Sequence, residues 1–296
     1  MARSANLEIM IRAATRAARV LARDFGEVEQ LQVSIKGPGD FVSAADRRAE
    51  SVIKEELKRG RPDYGFVMEE SGTEVGRSPH NRWIVDPLDG TTNFLHGLPH
   101  WAISIALEQH GELTTGIVFD PLRNELFTAE RGHGAYLNDR RLRVSRRSDM
   151  RMALIGCGLP IQNWKGRELG FSRQMNRVAD ECGGLRRLGT ASLDMAYVAA
   201  GRQDAYWEHG PKIWDIAAGV LLVREAGGRV GRLEGDEDLF AGEDRGGGQS
   251  RAVRAGRARS CSRPHRSHET FAGAEFIATL EADAALAEAL LIDGSS

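Results

Sequence analysis

The stretch that most constrains this chain is Arg82-Trp83-Ile84-Val85-Asp86-Pro87-Leu88-Asp89-Gly90-Thr91-Thr92-Asn93-Phe94. Three apolar residues, Trp83 to Val85, read as the end of a buried strand. Two carboxylates three apart follow at once, with a proline, a glycine and a pair of threonines. A core strand that delivers acids to its C-terminal end is where open α/β sheets build sites. Asp86 and Asp89 suit divalent cations, because hard ions prefer carboxylate and carbonyl oxygens. Gly90 lets the backbone approach a ligand closely, and the N–H groups beyond it suit phosphate oxygens. The same residues also suit a plain strand-to-turn transition, with Asp and Gly in their ordinary turn places. This stretch alone leaves both readings open.

The bulk numbers narrow the class. With 296 residues the chain can bury a substantial core, as one large domain or two intimately packed halves. A formal net charge of −2 argues against the whole protein being a polyanion binder. Cys157, Cys182 and Cys261 are too widely spaced for a disulfide framework or a redox pair. Arginines at 3, 12, 16, 19 and 23 interrupt every early apolar run, so no signal peptide is expected. No stretch approaches the roughly 20 apolar residues that span a bilayer. The expectation is a soluble, cytoplasmic protein with no membrane contact.

Residues 4–24 place Leu7, Met10, Ile11, Ala14, Ala17, Ala18 and Leu21 near a 3.6 period, predicting an amphipathic helix with an arginine-rich outer face. Lys36 to Asp46 read as a turn and then a helix start. Ser43 with Asp46 resembles a capping box, and Lys36 and Asp40 sit on the loop where a site can recruit them. That helix runs to about Lys58. Tyr64–Met68 is a predicted strand ending in Glu69-Glu70; alternation sends one acid into a site and the other away, unless both are merely solvated. Strands over Trp101–Gln109, Leu113–Asp120, Glu125–Glu130, Gly134–Leu137 and Leu142–Val144 make a β-meander. His96, His100 and His133 stand at no metal spacing and read as structural or surface residues.

The second half alternates strand and helix, which predicts an α/β layer beside the first. Its strands fall at Met152–Cys157, Leu185–Leu188, Asp204–Trp207 and Arg229–Leu233, and its helices at 166–182, 190–200 and 214–226. Gly189-Thr190-Ala191-Ser192 opens a helix directly after a strand, so its N–H groups either receive an oxygen ligand or form a plain capped turn. Asp215 lies in the first turn of its helix, where the dipole alone would stabilise an acid. Glu208 follows an aromatic strand. From Gly242 to Ala272 the composition shifts to Arg, Gly, Ser and His without apolar period, which reads as a surface insertion. It is either a loop without a partner or a basic strip that touches RNA or another polyanion; Cys261, His265 and His268 lack a fourth zinc ligand. A strand at Glu275–Thr279 and a helix at 282–291 follow.

Taken together, Asp40–Asp46, Glu69-Glu70-Ser71, Asp86–Phe94 and Trp214–Gly219 continuing into Glu225–Gly228 resemble the inositol monophosphatase family of magnesium-dependent, lithium-inhibited phosphatases. The four motifs stand in the family's order across about residues 5–240. The resemblance implies a layered αβαβα sandwich, an α/β (α+β) fold shared with fructose-1,6-bisphosphatases. It divides the chain into an N-terminal α+β half, 1–150, with most metal ligands, and a C-terminal α/β half, 151–296, with Asp215 and the basic insertion.

By that resemblance two or three Mg²⁺ ions bind. Glu69, Asp86 and the Leu88 carbonyl would hold the first, and Asp86, Asp89 and Asp215 the second. Gly90 and Thr91 would hold the phosphate, and Thr91 with Asp46 and Glu69 would position the attacking water for direct in-line hydrolysis. Gly189, Thr190, Ala191 and Glu208 match positions that hold the substrate's hydroxyls. The substrate implied is a small polyol or sugar phosphate, foremost myo-inositol monophosphate, and the assembly a homodimer. Histidinol phosphate, fructose 1,6-bisphosphate and 3′-phosphoadenosine 5′-phosphate are rivals on the same fold; a nucleic-acid-associated protein using the arginine insertion is the rival of another class. Two departures stand out: Met68 replaces the family's common glycine before the glutamate pair, and the 242–272 insertion separates its last two strands.

Overall fold

Ser4 is extended and its Oγ accepts the Leu7 N–H, so helix α1 (Ala5–Phe25) begins there. These are the first elements of a computed structural model that describes residues 3–27, 33–37, 40–159, 168–231 and 275–279. A hairpin of β1 (Val33–Gly37) and β2 (Asp40–Ser43) follows and runs straight into α2 (Ala44–Gly60). The expected loop placement of Lys36 and Asp40 is corrected: they lie on the paired strands β1 and β2. Gly37 and Asp40 are cross-strand partners; Pro38 and Gly39 between them lie outside the described residues.

A mixed sheet comes next. Its strands are β3 (Tyr64–Met68), β4 (Gly72–Glu74), β5 (Ser78–Asp89), β6 (Ala102–Gln109), β7 (Glu112–Asp120), β8 (Glu125–Glu130), β9 (Gly134–Leu137) and β10 (Arg140–Arg141), with the short helix α3 (Thr91–Leu95) after β5. Their order is β10-β9-β8-β7-β6-β5-β3-β4, antiparallel except for β3 beside β5. The predicted strand over Leu142–Val144 is not formed. β10 stops at Arg141, although the Leu142 N–H still reaches the Ala135 carbonyl at 2.8 Å.

The second half contributes β11 (Leu154–Cys157), α4 (Glu168–Glu181), β12 (Gly184–Arg186), α5 (Ala191–Ala199), β13 (Ala205–His209), α6 (Ile213–Glu225), β14 (Arg229–Gly231) and β15 (Glu275–Thr279). The sheet order is β12-β11-β13-β15-β14; the first three strands are parallel and β15 is antiparallel to both neighbours. Met152, expected on a strand, sits in a single 3₁₀ turn, exposed, before β11. The helix expected over 282–291 and the insertion at 242–272 lie outside the described residues.

Strand alternation builds the layers. Phe66, Met68, Trp83, Val85, Ile103 and Ile105 pack against α1 and α2, where Met10, Leu21, Ile53 and Leu57 are fully buried. Each such side chain contributes about 1.5–3 kcal/mol of burial. The alternate residues Val67, Ile84, Ala102, Ala106 and Val118 pack on α5 and α6. Small residues let α6 lie close: a Cβ on Gly116 would stand 3.2 Å from the Ala218 backbone. Tyr206 and Val230 of the second sheet close that core from the other side, and Phe171 and Val178 of α4 cover the sheet's far face. The result is the αβαβα sandwich, with α5 and α6 as the middle layer.

Candidate active site

The same alternation sorts the acids. Val67 faces the middle layer, so Glu69 emerges on that side, and its N–H extends the ladder to the Val85 carbonyl at 3.2 Å. The Glu70 N–H instead donates to Glu50 Oε2 on α2, at 2.9 Å. Asp86 shares the face of Ile84 and is 2% exposed, opposite Ser104, whose hydroxyl reaches the Trp214 carbonyl at the start of α6. Proline 87 has no N–H for the ladder, and the register shifts between Asp86 and Asp89. There the Leu88 N–H turns back to Asp86 Oδ1 at 2.9 Å.

Two helix starts hold the remaining metal candidates. Asp89 Oδ2 accepts the Ser192 N–H of α5 at 2.7 Å, and Asp215 Oδ2 accepts the Lys212 N–H at the start of α6, also at 2.7 Å. Both acids thus sit where the helix dipole favours negative charge. Gly90 follows with φ +94°, and a Cβ there would meet Thr190 Oγ1 at 2.5 Å, so only glycine fits. The Thr91 hydroxyl lies 2.9 Å from Asp46 Oδ1 and 3.1 Å from the Leu88 carbonyl. Asp46 is fully buried in the first turn of α2; the partner it offers Thr91 is a role beyond the expected capping box, and the Ser43 side chain lies outside the described residues.

Glu69, Asp89, Gly90, Thr91 and Asp215 line one cavity of about 180 Å³, together with Gly189, Thr190, Ala191 and Glu208. Asp86 and Asp46 stand behind its wall. Other lining residues were given no role in the sequence reading, among them Asn93, Arg187, Asp194 and Tyr206. Asn93 Nδ2 donates to the carbonyls of His100 and Leu188, each at 2.8 Å, and so ties α3 to the turn before α5. Asp194 Oδ1 accepts from Gln203 Nε2 at 2.7 Å, and the Tyr206 hydroxyl donates to Glu208 Oε2 at 2.6 Å. Asp194 lies on the turn after Gly189-Thr190, which is the one local signal that could have found it.

Electrostatics mark this wall as short of positive charge. Burial pushes Asp86 well above the usual carboxylate range, with repulsion from Glu69, Asp89 and Asp215 adding to it. The side-chain interaction with Glu69 pushes Asp86 in the same direction. Asp215 is raised for the same reasons, burial first and then Asp89, Glu208 and Glu69. Burial lifts Asp89 to about 6 against the bonds from Ser192 and Ala191, and Glu208 to about 7 against the bond from Tyr206. Among the described residues no three His, Cys, Asp or Glu side chains are gathered closely enough to hold an ion as they stand. The donors are nonetheless all hard oxygens carrying uncompensated charge, and that chemistry fits Mg²⁺ or a similar cation. Cys157 takes no part: burial pushes its thiol up to about 12.

An acid-lined cavity between two sheets, beside a glycine turn that opens a helix, suits a phosphate ester bound with divalent cations, and the chain's relatives make it a phosphate-ester hydrolase. The chain belongs to the inositol monophosphatase family, whose model matches residues 3–273; that family is magnesium-dependent. It is 56% identical over 240 residues to an inositol-1-monophosphatase of Mesorhizobium japonicum, covering 81% of this chain and 90% of the relative. It is 46% identical over 224 residues to the Nus factor SuhB of Pasteurella multocida, covering 76% and 84%. The crystal structure of the extragenic suppressor protein suhB from Bartonella henselae superposes with a TM-score of 0.83 at 45% identity, covering 97% and 98%. Among the described residues no helix is long and apolar enough to cross a membrane.

Proposed function

We propose that this protein hydrolyses small phosphate monoesters, foremost myo-inositol monophosphate, to the alcohol and phosphate. One observation carries the reading: Glu69, Asp89 and Asp215 line one cavity beside Gly90 and Thr91, with Asp86 just behind its wall, and burial with repulsion from acidic neighbours raises Asp86 and Asp215. Glu69, Asp86 and the Leu88 carbonyl would hold one Mg²⁺ and Asp86, Asp89 and Asp215 a second, of two or three ions in all. When bound, these ions neutralise the wall, polarise the phosphate and make water a better nucleophile at neutral pH.

The chain's own residues do the positioning. Gly90 and Thr91 open α3, whose first N–H groups have no intrahelical acceptor and suit phosphate oxygens. The Thr91 hydroxyl, held between Asp46 and the Leu88 carbonyl, aligns the attacking water with Glu69 and passes its proton toward Asp46. Glu208 and the Gly189–Ala191 turn hold hydroxyls of the alcohol, the acid accepting and the turn's N–H groups donating. The two halves, 1–150 and 151–296, divide this work: the first supplies Glu69, Asp86, Asp89 and Thr91, the second Asp215 and Glu208.

A phosphate-release screen with and without Mg²⁺ tests the reading, over myo-inositol monophosphate, histidinol phosphate, fructose 1,6-bisphosphate and 3′-phosphoadenosine 5′-phosphate. Mg²⁺-dependent turnover that is fastest on the inositol ester is expected, with inhibition by lithium. Equal turnover in a metal chelator would overturn the scheme. The proposal places the enzyme in the cytoplasm as a homodimer, which sedimentation of the purified protein checks.

A second, non-exclusive reading is supported by the Nus factor relative and by the arginines of 242–272: contact with RNA. Deleting 242–272 tests it, since salt-sensitive RNA binding that survives the deletion excludes the insertion as the contact surface.

A further inference from the structure

The cavity has a cation that the proposed reading does not use. Among its described lining residues Glu69, Asp89, Asp194, Glu208 and Asp215 are acids, and Arg187 is the one base. Arg187 follows β12 and precedes the Gly189 turn, where φ is +79°. Its Nη1 lies 3.2 Å from the point where a Cβ on Gly189 would stand, so the guanidinium is folded over the turn that the proposal gives to the alcohol.

Other arginines of this molecule clasp acids: Arg48 holds Asp24 at 2.6 Å, Arg123 holds Asp120 at 2.7 Å and Arg202 holds Glu125 at 2.6 Å. Arg187 is exposed and among the described residues makes no hydrogen bond or ion pair. It acts on Glu208 and Asp194 only through space, drawing both downward against burial. A guanidinium offers five donors in a planar fork that matches carboxylate and phosphate oxygens. Glu208 and Asp194 would repel a negative group brought to this end of the cavity, and Arg187 is the group that offsets them.

We propose that Arg187 is a specificity residue that admits phosphate monoesters whose alcohol portion carries a second negative group, a carboxylate or a phosphate. This rests on the phosphatase reading and widens it beyond neutral polyols. Glycerol 2-phosphate and 2-phosphoglycerate make the matched test, since they differ by a carboxylate in place of one hydroxymethyl group. With Mg²⁺ present, Arg187→Ala is expected to lower kcat/KM for 2-phosphoglycerate relative to glycerol 2-phosphate on the order of tenfold, the worth of one charge-assisted hydrogen bond. The loss should fall in KM, and Arg187→Lys should restore part of it. Because both substrates report on the same molecules, partial misfolding cancels in the ratio. A ratio that falls by less than about threefold, whether both rates fall together or neither falls, would overturn the assignment, and a larger fall supports it. If the wild-type enzyme turns over myo-inositol monophosphate but neither of these esters, the assignment falls and the phosphatase reading stands; if it releases phosphate from none of the three, the phosphatase reading fails and this inference with it.

Discussion

Glu56 and Asp24 on the outer helical layer, and Asp86 and Asp215 between the sheets, are buried acids kept in opposite ways. Glu56 is 3% exposed and ringed by Arg16, by Arg59 at 2.7 Å and by Arg12 at 3.7 Å. Asp24 is 4% exposed and held by Arg48 at 2.6 Å. Burial pushes Glu56 up, but its arginines outweigh that and leave it below the usual value. At Asp86 and Asp215 burial also pushes up, and every charged neighbour pushes the same way. A buried charge supplied with its own counter-charge belongs to the scaffold. One left without it is where the proposed cations would supply the missing charge.

The largest break in that comparison should come from Asp89→Asn. Turnover is expected to fall about a thousandfold or more, since stabilisation worth several kcal/mol is lost. The melting temperature without metal should hold or rise, because a repelling charge is gone. Near-normal phosphate release would sink the assignment. Glu56→Ala should do the reverse: about 1–3 kcal/mol of stability lost in denaturant melts, with kcat/KM changed less than about twofold.

Stability against pH sharpens the contrast further. Asp89 (about 6 against 3.8) and Glu208 (about 7 against 4.5) bind more protons folded than unfolded between those values. Metal-free protein should therefore lose stability as pH rises from about 4 to 7. Glu56, held below 4.5, contributes stability above that value that is lost as pH falls through its lower folded one. Saturating Mg²⁺ should flatten the upper limb, adding about 2.7 kcal/mol at a hundred times its Kd. A metal-free melting temperature that climbs steadily across that range would count against the unneutralised wall. The smallest effect is Arg12→Ala, whose partner stands 3.7 Å away and whose side chain is 59% exposed; about 0–1 kcal/mol is expected in the same melts.

The layered fold was legible because hydrophobic periods of 3.6 and 2 separate its elements cleanly, as at Leu7 to Leu21 and Phe66 to Met68. The acids at 69, 86, 89 and 215 were legible as motifs. Several features were not. β5 carries Pro79 and Pro87, which argue against a 12-residue strand; it persists because the register slips where Pro87 has no donor. The β1–β2 hairpin was hidden by Gly-Pro-Gly, a signal shared with loops. Arg187 bears no local mark, being an arginine among many, and Asp194 has only its place in the first helical turn after Gly189-Thr190. Only the meeting of β12, α5 and β13 at one cavity gives them a place.

The position of β15 has a consequence for the order of events. Glu275–Thr279 lies between β13 and β14, so the strand that carries Glu208 gains its second neighbour from chain made long after β14. Entropy barely penalises such a closure, since each doubling of the connecting length costs only about 0.6 kcal/mol. Time does matter: at about 5–20 residues per second on the ribosome, β13 and β14 emerge seconds before the strand that joins them. During that interval the outer sheet has two open edges and Glu208 lacks its final support. Of the acids, Glu69, Asp86 and Asp89 by contrast stand on or beside the sheet completed first, and Asp215 on α6 also precedes β15. A nascent chain should therefore acquire its cation wall before its grip on the alcohol.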